Sequence, residues 1–248
     1  MPLRVLTINL WGDNPPLQKR MAALVAYLQR ERPHLVALQE VADFQGRTQA
    51  EELAEAAGYP SVHLVTTGRL LWPGEGLAIL AEFDVEAATT VALPHDLEDA
   101  HPRALQQVDV QMPDGAVIRV ANTHLAFPLG AVRLRRQQTE RILEELESFA
   151  GASALLGDLN DVIDSEPLRV LTAAGFVDCY AAVHEQEHWT FHPANPYAEQ
   201  TELLERRVDH VLARGLEVVD AAVVLTGEDT PVVSDHYGVQ ATLDVASR

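Results

Sequence analysis

Hydrophobic and polar positions alternate along this chain at two periods. Residues 3–9, LRVLTIN, alternate like a strand. After DNPP, whose prolines suit a first helical turn, Leu17, Met21, Leu24, Val25 and Leu28 share one helical face. The short run HLVALQEV reads as a fully buried strand ending in Glu40. A second helix is predicted over roughly 47–57, closed at Gly58 by a C-cap. The middle third changes to short strands, SVHLVTT, GLAILAEF, VEAATTVAL, LQQVDVQM and AVIRVANTHL, with MPDGA as the hairpin turn between the last two. A helix at about 130–150 leads into the strand SALLGD, and Pro167 opens another helix. Strands return at RVDHVLA, LEVVDAAVVL and YGVQATLDV. No repeat, low-complexity tract or Gly/Ser linker intervenes, so 1–248 is expected to form a single α/β domain, mixed sheets with helices outside.

Composition narrows the function. No apolar run approaches the roughly 18–20 residues of a membrane span, and MPLRVLTINLW reads as a strand rather than a signal peptide, so a cytoplasmic location without membrane contact is expected. Cys179 is the only cysteine, which excludes an intrachain disulfide and a thiolate metal cage; in FVDCYAAV it reads as a small core residue. The net charge of −19, from 37 acids against 18 bases, repels phosphodiester backbones. An acidic substrate therefore needs a local positive spot, from a bound cation or from clustered arginines, since Lys19 is the single lysine.

The candidate chemistry stands where the predicted strands end. Asn9, Glu40, Asn122, His124, Asp158, Asn160, Asp209, His210, Asp235 and His236 occupy or follow these ends. Any one of them alone reads as a turn residue, a cap or a satisfied core group. Together they follow apolar runs, where an unpaired polar group is costly. Ligands in layered α/β proteins gather at strand ends, so convergence on one site is expected.

The stretches LTINLWG, LVALQEV, GLAIL, VANTHLA, LLGDLND, RRVDHVL and SDHYGV, in that order from residue 6 to residue 239, resemble the endonuclease/exonuclease/phosphatase superfamily of metal-dependent phosphoesterases. The resemblance implies a four-layer α/β sandwich, two packed mixed β-sheets flanked by helices, and Mg2+- or Mn2+-dependent phosphoester hydrolysis. It makes Glu40 the principal metal ligand, with Asn9 beside it and Asp235 contributing; hard oxygen ligands suit Mg2+. His124 and Asn160 resemble the phosphate-holding groups, Asp158 the residue that orients or deprotonates the attacking water, and Asp209–His236 the carboxylate–imidazole dyad. The general base is left open. Asn122, Arg103, Asn195 and Trp72 are assigned to substrate binding. Gly157 lets the chain turn without a Cβ, so that Asp158 and Asn160 face one side and Asp161 points away.

Two other patterns compete. HEQEH, His184 to His188, matches a zinc-peptidase motif that needs a helix, with His192 as a third ligand, but WTFHP and Pro193 follow at once and His192 is misplaced. Arg133, Arg135 and Arg136 either edge the site or enter i,i+4 pairs such as Arg136–Glu140 and Arg141–Glu145; the pairs are favoured. The low lysine count and acidic balance argue against a DNA-tracking nuclease, and no export signal or lipid-entering hairpin supports a sphingomyelinase. A monomeric phosphodiesterase or phosphatase acting on a small phosphorylated substrate is expected, with a nuclease of the same family as the nearest alternative. A non-catalytic binding module would have lost ligands that are all present here.

Overall fold

The structure is a computed structural model that describes residues 2–44, 46–66, 76–83, 85–99, 101–112, 115–198, 205–228 and 230–245. The predicted periodicities become β1 (Leu3–Asn9), α1 (Leu17–Glu31), β2 (Leu35–Val41) and α2 (Gln49–Ala57). Helix α2 starts two residues later than its periodicity suggests because Thr48 is its N-cap: Thr48 accepts from the Glu51 N–H while Glu51 reaches back to the Thr48 N–H. Gly58 closes it in the left-handed region. On α1 the buried face is Arg20, Leu24, Tyr27 and Leu28, and Leu17, Met21 and Val25 are only half-buried. The face is rotated because Arg20 turns inward and donates to the carbonyls of Leu10, Gly12, Asn14 and Val233.

The chain continues through β3 (Ser61–Thr66), β4 (Gly76–Ala81), β5 (Ala87–Ala92), β6 (Ala104–Gln111), β7 (Val117–His124), α3 (Val132–Glu147), β8 (Ala152–Asp158) and α4 (Glu166–Ala173). It ends with β9 (Val177–Asp178), α5 (Cys179–Val183), β10 (Asp209–Arg214), β11 (Leu216–Val224) and β12 (Gly238–Val245). Neither β9 nor α5 is visible as periodicity, being two and five residues long. Asp178 starts α5 by accepting from the Ala181 N–H at 2.9 Å, and Cys179 is buried in the core, where burial pushes its thiol pKa up.

Two six-stranded mixed sheets result, ordered β11-β12-β1-β2-β4-β3 and β5-β6-β7-β8-β10-β9. Each holds one parallel pair, β1–β2 and β7–β8, joined through α1 and α3; the other pairings are antiparallel. Val5, Ala37 and Ile79 of one sheet meet Val120, Leu156 and Val211 of the other in a shared core. The opposite faces are covered too: Ile8 and Leu38 pack on Leu24, Leu28 and Leu53 of α1 and α2, and Leu105 and Leu155 on Ile142, Leu168 and Leu171 of α3 and α4. Strands buried on both faces read as unbroken apolar runs, which is why LVALQ and SALLG look as they do. The arrangement is the expected four-layer sandwich. No helix among the described residues is long and apolar enough to cross a membrane.

A polar bridge spans the two sheets inside this core. Gln39 of β2 donates to Thr7 at 3.0 Å and to Asn122 Oδ1 at 2.7 Å, and Asn122 Nδ2 faces the carbonyls of Leu38 and Ala78 at 3.0 and 3.1 Å. Asn122, expected at the substrate, is a buried sheet-to-sheet clamp with its amide engaged and is not among the residues lining the cleft.

Gly157 shows a second departure. Strand β8 runs straight through it to Asp158, and the turn comes only at Asn160, in the left-handed region at φ 52°. What Gly157 provides is proximity: at φ 150°, a Cβ there would lie 2.0 Å from the Thr123 carbonyl oxygen of β7. Gly157→Ala is expected to cost about 3 kcal/mol or more, because both the clash and the dihedral must be relieved. Urea unfolding checks this, and a loss near zero would contradict the close approach.

Candidate active site

The topology brings the two parallel pairs to the same edge. Asn9 closes β1, Glu40 lies at the end of β2, and His124 and Asp158 close β7 and β8. Register aligns His124 and Asp209 with Asp158 on either side, so an imidazole and two carboxylates share one rung. Just before β12, His236 completes the group. Glu40 sits where the β2–β4 register shifts, in the left-handed region at φ 50°, a conformation costing a non-glycine residue roughly 1 kcal/mol. The bulge turns its carboxylate into the cleft.

Asn9 joins the sheets. Its Nδ2 donates to Glu40 Oε1 at 2.9 Å and to Asp158 Oδ2 at 3.1 Å, while its Oδ1 accepts the Trp11 N–H at 2.9 Å. Asp158 also accepts the Asn160 N–H at 3.0 Å, and Asn160 Nδ2 ties down the Leu125 carbonyl at 3.0 Å. His236 Nδ1 lies 2.9 Å from Asp209 Oδ2 and 3.7 Å from Asp158 Oδ2, and His124 Nε2 lies 3.5 Å from Asp158 Oδ2. The Asp209 backbone is fixed by the hydroxyl of buried Thr190, which accepts the Val208 and Asp209 N–H groups.

These contacts open onto a cleft of about 520 Å³. Of the residues read from the sequence, Glu40, Arg103, His124, Asp158, Asn160, Asp235 and His236 line it. Asp209 lies fully buried behind His236. Asn195 stands off the cleft: its Nδ2 donates to the Ser234 carbonyl at 2.9 Å and its Oδ1 accepts the Tyr197 N–H. Expected at the substrate, it instead bonds the loop that carries Asp235 and His236. Trp72 lies outside the described residues. His101, Phe127, Leu129, Phe191, Arg206 and Val208 also line the cleft and were not singled out. Only Arg206 left a signal, as the first arginine of RRVDH.

The competing patterns resolve structurally. His184 is the extended C-cap of α5, so no helix carries HEQEH; its Nε2 lies 2.6 Å from the Ala221 carbonyl and its ring stacks on Tyr180. Arg136–Glu140 and Arg141–Glu145 form as i,i+4 pairs. Arg135 differs from its neighbours. It is buried and donates to Asp161 at 2.9 Å, and neither is among the residues lining the cleft, although Asp161 also pairs with the cleft residue Arg206 at 3.4 Å.

Electrostatics separates the ionisable groups. Burial and the neighbouring Asp209 push the Asp158 carboxyl up to about 6. Burial lowers the His124 pKa well below the ordinary imidazole value, with Arg103 and His236 adding to it. Burial acts the same way on His236, but the carboxylates of Asp209 and Asp158 outweigh it and hold this pKa well above the ordinary value. Asp235 is raised by burial. A divalent cation fits this donor set. Glu40 and Asp235 line the cleft as oxygen donors beside Asp158, Asn9 Nδ2 holds Glu40 and Asp158 on one nitrogen, and Asp158, Asp209 and His236, with ligand atoms within 4.8 Å of one another, continue this edge behind them.

The chain belongs to the endonuclease/exonuclease/phosphatase family, whose sequence profile matches residues 6–236. Protein angel of Drosophila melanogaster is 45% identical over 65 residues, 25% of this chain and 18% of that protein, so the match spans under a fifth of that relative. Zebrafish TDP2 complexed with a single-strand DNA product superposes with a TM-score of 0.79 at 17% identity, over 98% of this chain and 99% of that one. A mannosyl-6-phosphatase from Bacteroides thetaiotaomicron gives a TM-score of 0.76 at 18% identity, over 97% and 99%. Members of this family hydrolyse phosphoesters.

The two histidines are expected to titrate in opposite directions. In EDTA, NMR should show His236 titrating well above the ordinary imidazole pKa and His124 well below it. A raised folded pKa means that His236 contributes stability fully present below its unfolded pKa and lost as pH rises through the folded one. Asp209→Asn should bring the His236 titration down, and an unmoved titration would contradict the pairing.

Proposed function

We propose that this protein is a Mg2+- or Mn2+-dependent hydrolase of a small phosphorylated substrate, either a phosphodiester or a phosphomonoester. The observation that carries the reading is the meeting of oxygen ligands, anion-facing cations and a buried Asp–His pair in one cleft of small-molecule size. Glu40, with Asn9 and Asp235, would hold the cation. When bound, the ion supplies positive charge to the phosphoryl oxygens and acidifies a water molecule.

The remaining steps fall to the chain's own groups. Asp158, fixed by two N–H donors, takes up the proton of the attacking water, since a carboxyl raised toward the working pH is an effective general base. His236 Nδ1 is committed to Asp209, which leaves Nε2 to donate to a phosphoryl or leaving-group oxygen. Arg103 and Arg206 supply the positive edge, and His124 and Asn160 uncharged polar groups, that hold the phosphate as charge develops. The net charge of −19 disfavours a long polynucleotide track, which weighs against the nuclease alternative even though a DNA-bound relative shares the fold.

The direct test is hydrolysis of bis-p-nitrophenyl phosphate and p-nitrophenyl phosphate by EDTA-stripped protein, with Mg2+, Mn2+ or Zn2+ restored. Glu40→Ala is expected to lose the metal-dependent turnover and the Mg2+-induced rise in Tm while keeping its Tm in EDTA. Unchanged Mg2+ dependence would sink the ligand assignment. His236→Ala should lower kcat by about 10³-fold, whereas His188→Ala should leave it within about twofold. The reverse ranking would return the case to HEQEH.

A further inference from the structure

Directly after His124 the chain runs LAFPLGA, residues 125–131, and carries two large apolar side chains to the surface. Phe127 is 54% exposed and Leu129 45%. Isolated exposed apolar residues are ordinary. These two, however, both border the catalytic cleft, together with Phe191, whose ring centroid lies 5.1 Å from that of His236.

The loop that presents them is held more firmly than a surface turn requires. The Leu125 N–H donates to the Asp158 carbonyl at 3.0 Å, and the Ala126 N–H donates to Gln138 Oε1 at 3.0 Å. Buried Arg135 donates to the carbonyls of Ala126, Pro128 and Leu129 at 2.9, 2.7 and 3.1 Å, and is itself fixed by Asp161. Phe127 thus stands between two clamped carbonyls. The ring of His101 meets it edge-on, with centroids 5.7 Å apart at 67°, and the His101 Nδ1 lies 2.7 Å from Asp99 Oδ1. A ring held in this way loses little further freedom when a ligand covers it.

We infer that Phe127 and Leu129, with Phe191, form a preset apolar lip that selects phosphoesters carrying a flat ring on one ester group; this rests on the hydrolase reading of the cleft. Aromatic walls favour a ring, through stacked or edge contacts, over a flexible chain. A cleft of about 520 Å³ has room for one ring system beside the phosphate. A simple aryl group and a nucleobase present the same chemistry to the lip.

The test uses the Mg2+-loaded full chain with alkyl esters that differ in the ring alone, benzyl phosphate against ethyl phosphate and dibenzyl phosphate against diethyl phosphate, read by alcohol release. Wild type is expected to favour the benzyl ester in kcat/KM, Phe127→Ala to cut that preference about tenfold, mostly through KM, and Phe127→Trp to keep it. Equal preference in wild type and Phe127→Ala overturns the lip. Leu129→Ala is the second variant should Phe127→Ala fail to fold, judged by Tm, and the same loss of preference is expected. If wild type hydrolyses none of these monoesters and diesters, the hydrolase reading fails and calorimetry decides on the lip alone. Tighter binding of phenylphosphonate than of methylphosphonate, abolished in the variant, upholds it, and no difference overturns it. Adenosine 5′-monophosphate compared with phenylphosphonate as inhibitor tells a nucleobase from an aryl group.

Discussion

The site depends on one amide. Asn9 holds a carboxylate of its own sheet, Glu40, and one of the facing sheet, Asp158, within hydrogen-bonding distance of a single nitrogen. Two acids that close together in a buried setting repel, and a shared donor is what keeps them convergent. Everything beneath serves that spacing. The Thr7–Gln39–Asn122 bridge crosses the same gap deeper in the core, and Gly157 lets β7 and β8 approach where the carboxylate emerges. Buried polar bridges are tolerable only when fully engaged, and these sit where the two sheets must not slide.

Three buried arginines do for the loops what Asn9 does for the strands. Arg20 ties the β1 exit to Val233, just ahead of Asp235 and His236. Arg135 fixes the loop after His124. Arg207 bonds Asp178 at 2.7 Å and also pairs with Glu187, and Asp178 in turn meets His210. Burial alone would raise the Asp178 carboxyl, but His210 and Arg207 outweigh it and hold it low. A guanidinium reaches several carbonyls at fixed angles, which an ammonium cannot imitate, and this gives a physical use for a composition with one lysine.

Much of this was legible in the sequence, for identifiable reasons. Strands buried on both faces announce themselves as apolar runs, and the polar residues that end them, Glu40, His124, Asp158 and His236, meet at one edge because the parallel pairs point the same way. Asn122 lies on the same face of β7 as His124, two residues deeper between the sheets, so apolar patterning does not tell which of the two reaches the cleft. Asn195 bonds a neighbouring loop, a contact that sequence spacing does not show. The helix faces hid their arginines: Arg135, Gln138 and Thr139 occupy buried positions of α3 three and four apart, a polar stripe that apolar periodicity does not score. The PLG turn gave no hint that Phe127 and Leu129 would border the cleft.

Arginines turned inward are subtracted from the outside. The surface that a diffusing anion meets is therefore governed by the acidic excess, and the positive edge around Arg103 and Arg206 is felt only at close range. Ordinary salt, with a Debye length of roughly 10 Å at 0.1 M, mutes the distant repulsion more than the near attraction. Most proteins that capture anions do so faster in dilute buffer; for this one, ionic strength acts as an opener, and encounter rates climb with it until the local attraction is screened as well.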